Sequence, residues 1–168
     1  MKLIKYTLLS LLIIILLPCR GQMPVEGATS HDYHSKSFWH GNWGSSIVHK
    51  GIDIFADKGT NIFATVKGIV VSSGVINKGG NYVLILTPKL TMHYYAHLNE
   101  IKVKNNQFVT KKTIIGTVGN SGNDNEPHLH YEIKTLIPYI WQFDMREEQY
   151  FHKMFYINPI KYIENEKN

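Results

Sequence analysis

Between residues 61 and 135 apolar residues come only in short runs, each separated from the next by glycine or asparagine: NIFATVKGIVVSSG, GGNYVLILT, MHYYAHL, TIIGTVGNSG and HLHYEIKT. Runs of this length, rich in Val, Ile, Tyr and Thr, suit the pleated surface of strands, and Gly and Asn suit the turns between them. No long helical period competes with them before residue 135. The expected fold class is mainly β, an antiparallel sheet or sandwich-like arrangement. A short C-terminal helix is expected to follow, because Asp144 and Glu147 have capping-box spacing and Tyr150, Phe151, Met154 and Phe155 recur at helical spacing. That places the helix over about Met145 to Phe155. The chain then closes with INPIKYIEN and a polar tail over 164–168.

The other end reads differently. Lys2 and Lys5 precede an apolar run from Leu8 to Leu17 that breaks at Pro18, the pattern of a secretory signal over 1–21 rather than a membrane span. The expected location is the periplasm, the cell envelope or the outside of the cell. Leu16-Leu17-Pro18-Cys19 resembles a lipobox with a proline in a poor place, while Cys19-Arg20-Gly21 also suits an ordinary signal peptidase. Lipidation of Cys19, plain cleavage and an uncleaved anchor therefore remain alternatives, and any membrane contact would pass through them. Cys19 is the sole cysteine, so the remainder has neither a disulfide nor a Cys-ligated metal.

Lys2, Lys5 and Arg20 lie in that segment and no acidic residue does, so the formal net charge of +5 falls to +2 without it. Basicity is a property of the signal, and nucleic-acid binding gains no support. From Gln22 to about Lys36, Pro24, Gly27 and Ser30 interrupt a stretch with no apolar period, which reads as a linker or arm over 22–37. The remaining length, 38–163, holds one domain, expected to be a monomer.

Chemistry concentrates in three short stretches. In EPHLHYEI, His128 and His130 share one face of a strand about 6 to 7 Å apart, close enough to address one site. In HKGIDI, His49 and Asp53 would be about 13 Å apart on a straight strand, so a bend at Gly51 has to bring them together. In MHYYAHL, His93, Tyr95 and His97 fall on one face of a strand. Two imidazoles and a carboxylate suit zinc and complete a three-ligand site with one position for water. The surplus histidines suit acid-base work, since imidazole titrates near neutrality. Spacing alone leaves open which of these residues meet.

The chain resembles the lysostaphin-like, LytM-type zinc endopeptidases of bacterial peptidoglycan. The likeness runs over about residues 38 to 135 through HKGIDIFADKGTNIFATVKGIVVSSG, GGNYVLIL, YAHL and the segment ending in EPHLHYEI, with NPIKYI resembling the family's closing segment. It implies a lysostaphin-type antiparallel fold with a groove over the sheet. It also implies one zinc ion held by His49, Asp53 and His130, with His97 and His128 as the catalytic histidines. The substrate implied is peptidoglycan, cut in its stem peptides or cross-bridges. The alternative is a non-catalytic family member that binds and activates another wall hydrolase. No HExxH occurs, so imidazole has to do the proton transfer that a glutamate does in that motif.

Four readings lie outside the likeness. His93 is expected to be structural or to support the site from behind, and His31, His34, His40 and His152 to lie on the surface. Asn42 could line the groove. The aromatics Trp141, Phe143, Tyr150, Phe151, Phe155 and Tyr156 are expected to cap the sheet's apolar edge, with a groove wall as the other use.

Overall fold

A computed structural model describes residues 21–41, 46–122 and 126–164. The signal segment with Cys19, Asn42 and the end of the polar tail lie outside these. Among the described residues nine strands form one antiparallel sheet: β1 (Ile52–Phe55), β2 (Asn61–Phe63), β3 (Gly68–Ile76), β4 (Gly80–Leu86), β5 (Thr91–Ile101), β6 (Phe108–Val109), β7 (Ile114–Val118), β8 (His128–Thr135) and β9 (Tyr156–Ile157). The main path runs β1-β8-β5-β4-β3-β6. β7 pairs with β5 and β2, and β9 pairs with β8 beyond the end of β1. Each glycine-bounded run of the sequence supplies one or two of these strands.

The two faces of the sheet differ in chemistry. Directly paired residues share a face, so Leu129, Tyr131 and Ile133 of β8 join His93 and Tyr95 of β5 on the buried side. That side packs with Ile52, Ile54, Ile62, Val83, Ile85 and Ile115 into the main core. Within it lies a polar knot. The Thr65 hydroxyl meets the hydroxyls of Tyr95 at 2.6 Å and Tyr131 at 2.7 Å, and His93 Nδ1 meets the Tyr131 hydroxyl at 2.7 Å. The other ring nitrogen of His93 meets the Thr91 hydroxyl at 3.1 Å. With these partners the buried polar atoms cost little, and they fix the register of β5 against β8.

Two expectations are corrected. Residues 22–37 do not form a free arm: Val25 bridges Ile62, Tyr33 bridges Ile54, and both side chains enter the main core. The Tyr33 hydroxyl also bonds the Glu164 carboxylate. Isolated bridges need only one apolar residue each, so this segment packs without any period. The expected helix over Met145 to Phe155 shrinks to α1 (Tyr150–Lys153). Asp144 spends its carboxylate on Arg146, whose backbone N–H and guanidinium both donate to it, so the capping box never forms. Gln149, just ahead of α1, is left-handed at φ 52°. A second helix, α2 (Pro159–Glu164), follows β9. The aromatic segment is also more open than a sheet cap: Trp141 is 73% and Phe151 58% exposed. Among the described residues no helix is long and apolar enough to cross a membrane.

The polar knot generates a test. Burial pushes the His93 imidazole down from 6.5 to about 3. Between those values the unfolded chain binds a proton that the folded chain refuses. His93 therefore costs no stability above pH 6.5, and stability drains as pH falls below it by up to about 1.4 kcal/mol per unit. In urea denaturation between pH 6 and 4, His93→Gln is expected to lose stability with a slope about one proton shallower than wild type. An unchanged slope would contradict it.

Candidate metal centre

β1 and β8 are in register at Asp53↔His130, and β8 and β5 at Ala96↔His130. His130 therefore sits mid-sheet on the face opposite the core, with Asp53 beside it. Residue 51 makes the bend expected before β1, and it has to be glycine. A Cβ there would collide with the Tyr131 carbonyl and come within 3.0 Å of the His130 ring. The bend brings His49 back over Asp53. Its backbone is held by Trp39, whose N–H donates to the His49 carbonyl, and by its own N–H donating to His40. Trp39, Val48 and Tyr156 pack into a small second core at this point.

Three donor atoms converge. His49 Nε2 lies 3.2 Å from Asp53 Oδ1 and 3.1 Å from His130 Nδ1, and His130 Nδ1 lies 2.8 Å from Asp53 Oδ1. Ligand atoms on one tetrahedral zinc lie roughly 3.3 Å apart, so the cluster already has the spacing such an ion requires. His49, Asp53 and His130 form a group able to hold a metal ion. Burial would raise the Asp53 carboxyl, but the His130 and His49 imidazoles set against it outweigh burial and hold the group well below the usual carboxylate range. The carboxylate is thus ready to ligate. The His49 Nδ1 atom lies 3.2 Å from the Ser37 carbonyl. Donation there fixes the tautomer that turns the Nε2 lone pair toward the cluster.

His128 and His97 stand beside this trio. His128 Nε2 is 3.8 Å from Asp53 Oδ1, while its Nδ1 donates to the Glu126 carbonyl at 2.9 Å. His97 Nδ1 donates to the Ser121 carbonyl at 2.8 Å. The two rings lie 4.8 Å apart, and His97 is 6.0 Å from His130. Both imidazoles are therefore held in the tautomer with a basic Nε2.

His97 reaches this face by a route the sequence conceals. Plain alternation puts it with His93 and Tyr95, which face the core. At His97 the backbone turns left-handed, φ 63°, and the β4–β5 register slips between Asn81↔Leu98 and Val83↔Tyr95. This bulge rotates His97 onto the face of His130. The loop after β7 locks it there: Ser121 Oγ donates to the Leu98 carbonyl, the Asn81 N–H donates to Ser121 Oγ, and Gly122 takes φ 92° with no room for a Cβ beside Gly80. The expected shared face of His93 and His97 is therefore corrected, and His93 lies behind the sheet. Ser37, Ser121 and Glu126 escaped the sequence reading because each meets its histidine through a backbone carbonyl, which every residue has.

A family model described as Peptidase family M23 matches residues 47–141, more than half of the chain and all five of these residues. The chain belongs to peptidase family M23. The peptidoglycan DD-endopeptidase ShyA of Vibrio cholerae is 39% identical over 85 residues, 51% of this chain and 20% of that protein. An L-Ala-D-Glu endopeptidase of Bacillus subtilis is 36% identical over 111 residues, 60% of this chain and 34% of that protein. The chain thus spans a fifth to a third of the length of these relatives. Among solved structures, the lysostaphin catalytic domain of Staphylococcus simulans aligns with TM-score 0.64 at 24% identity, covering 80% of this chain and 94% of that one. It has the same fold.

Gly51→Ala is expected to cost about 1 to 3 kcal/mol through overpacking against β8 and to weaken metal binding by displacing the His130 ring. Denaturation together with a competitive zinc titration checks both. A variant of wild-type stability and wild-type zinc affinity would contradict the account of the bend.

Proposed function

We propose that this chain is an exported zinc metalloendopeptidase that hydrolyses peptide bonds in the stem peptides or cross-bridges of peptidoglycan. The observation that carries the reading is the division of five side chains on one sheet face. Three converge at ligand spacing, and two lie alongside with Nδ1 committed to backbone carbonyls. Relatives named as peptidoglycan endopeptidases supply the substrate class.

His49, Asp53 and His130 would hold the metal, two imidazoles and a carboxylate being a donor set that suits zinc. Bound there, zinc would supply a Lewis acid that acidifies water and polarises the scissile carbonyl. His128 and His97 would supply the proton traffic. A basic Nε2 accepts a proton as water adds to the carbonyl carbon; the protonated ring hydrogen-bonds the oxyanion while keeping that proton and then transfers it to the departing amine nitrogen as the C–N bond breaks. The two rings sit close enough to divide these tasks. The groove along the sheet would hold the peptide extended. Stem peptides carry carboxylates close to their amide bonds, as at the D-Glu for which the Bacillus relative is named.

His130→Ala is expected to abolish stoichiometric zinc binding. His128→Ala and His97→Ala are expected to keep zinc and to lose about 10²- to 10⁴-fold in turnover, the range of a lost acid-base group. Zinc content by mass spectrometry and release of muropeptides from isolated peptidoglycan measure both. Wild-type, zinc-loaded protein that leaves peptidoglycan uncut would end the reading, and retained turnover in His128→Ala would end its role.

A further inference from the structure

Beyond His130, β8 continues with Glu132 and Lys134 on the same face, opposite Tyr94 and Met92 of β5. β9 takes over from β1 along this edge and pairs Tyr156 with Lys134, so the Tyr156 ring stands on that face too. The Lys134 ammonium lies 5.2 Å from the centre of the Tyr156 ring, and the Lys50 ammonium, arriving from the turn after His49, lies 5.7 Å from it. Two cations thus gather at one ring, next to the metal centre.

Lys134 is ion-paired with Glu132 at 3.1 Å, yet the pair is lopsided: the Glu132 side chain is 10% exposed and that of Lys134 42%. The carboxylate forms the floor and the ammonium is what a ligand meets. One buried carboxylate steadies Lys134 without covering it. Asp53, the carboxylate of the metal centre, is engaged by His49 and His130. The accessible chemistry of this stretch is therefore cationic.

We propose that Lys134 and Lys50, set against the Tyr156 ring, form a subsite for a carboxylate of the peptide substrate. The inference rests on the endopeptidase reading and refines its specificity. From His130 to Lys134 the strand advances about 13 Å, and an extended peptide advances about 3.3 Å per residue. With the ammonium drawn back toward Glu132, the recognised carboxylate lies two to three residues from the scissile bond. A substrate amidated at that carboxyl is bound less well. Free-acid and amidated forms of one peptide are thereby discriminated by residues outside the catalytic set.

The experiment compares binding of the tetrapeptide L-Ala-D-Glu-L-Lys-D-Ala with its forms amidated at D-Glu and at the C-terminus, by calorimetry on the zinc-loaded protein, with cleavage followed separately. The free acid is expected to bind about tenfold more tightly than one amidated form. Lys50→Met/Lys134→Met should erase that preference with zinc content unchanged, and Lys50→Arg/Lys134→Arg should retain it. Equal affinity for all three peptides, no measurable binding of any, or a preference that survives the methionine substitutions overturns the subsite. A protein that shows the preference but cleaves none of the peptides and no peptidoglycan keeps the subsite and loses the endopeptidase reading.

Discussion

The site depends on the position of β8, which pairs with β1 through its first half and with β5 from His130 onward, so that His130 faces both Asp53 and Ala96. Because side chains alternate along a strand, a slip of one residue would send His128 and His130 into the core and bring Leu129 and Tyr131 out. The slip is opposed from behind the sheet. Tyr131, Tyr95, His93 and Thr65 exchange hydrogen bonds that no shifted register can reproduce. Fold stability and the placement of the clustered donor atoms are thus one constraint read from two faces.

On the working face, backbone carbonyls finish what the register begins. The carbonyls of Ser37, Glu126 and Ser121 face Nδ1 of His49, His128 and His97. They come from three separate segments: the stretch before the second small core, the turn into β8 and the loop after β7. An imidazole whose Nδ1 donates keeps a lone pair on Nε2, suited to a metal in one case and to a proton in the others. His130 runs the other way and presents Nδ1 to the cluster.

Much of this was legible in the sequence. Short runs with β-branched residues announced the strands, and histidines two apart announced a shared face, because period 2 is a local property. The bend at Gly51 followed from distance alone. What stayed hidden was set by contacts between distant residues. The bulge at His97 depends on Asn81, Ser121 and Gly122, and nothing within MHYYAHL reports it. The core roles of Val25 and Tyr33 rest on single bridges to β2 and β1. The capping pair Asp144 and Glu147 misled because Arg146 lay closer to the carboxylate than any helix terminus.

The central claim is that five clustered side chains divide into three ligands and two proton carriers. A crystal structure of the zinc-loaded protein, with data collected across the zinc absorption edge, tests it most directly. One anomalous peak is expected about 2.0 to 2.2 Å from His49 Nε2, His130 Nδ1 and an Asp53 carboxylate oxygen, with both His97 and His128 beyond bonding distance. A peak bonded to His97 or His128, or one away from Asp53, would contradict the division.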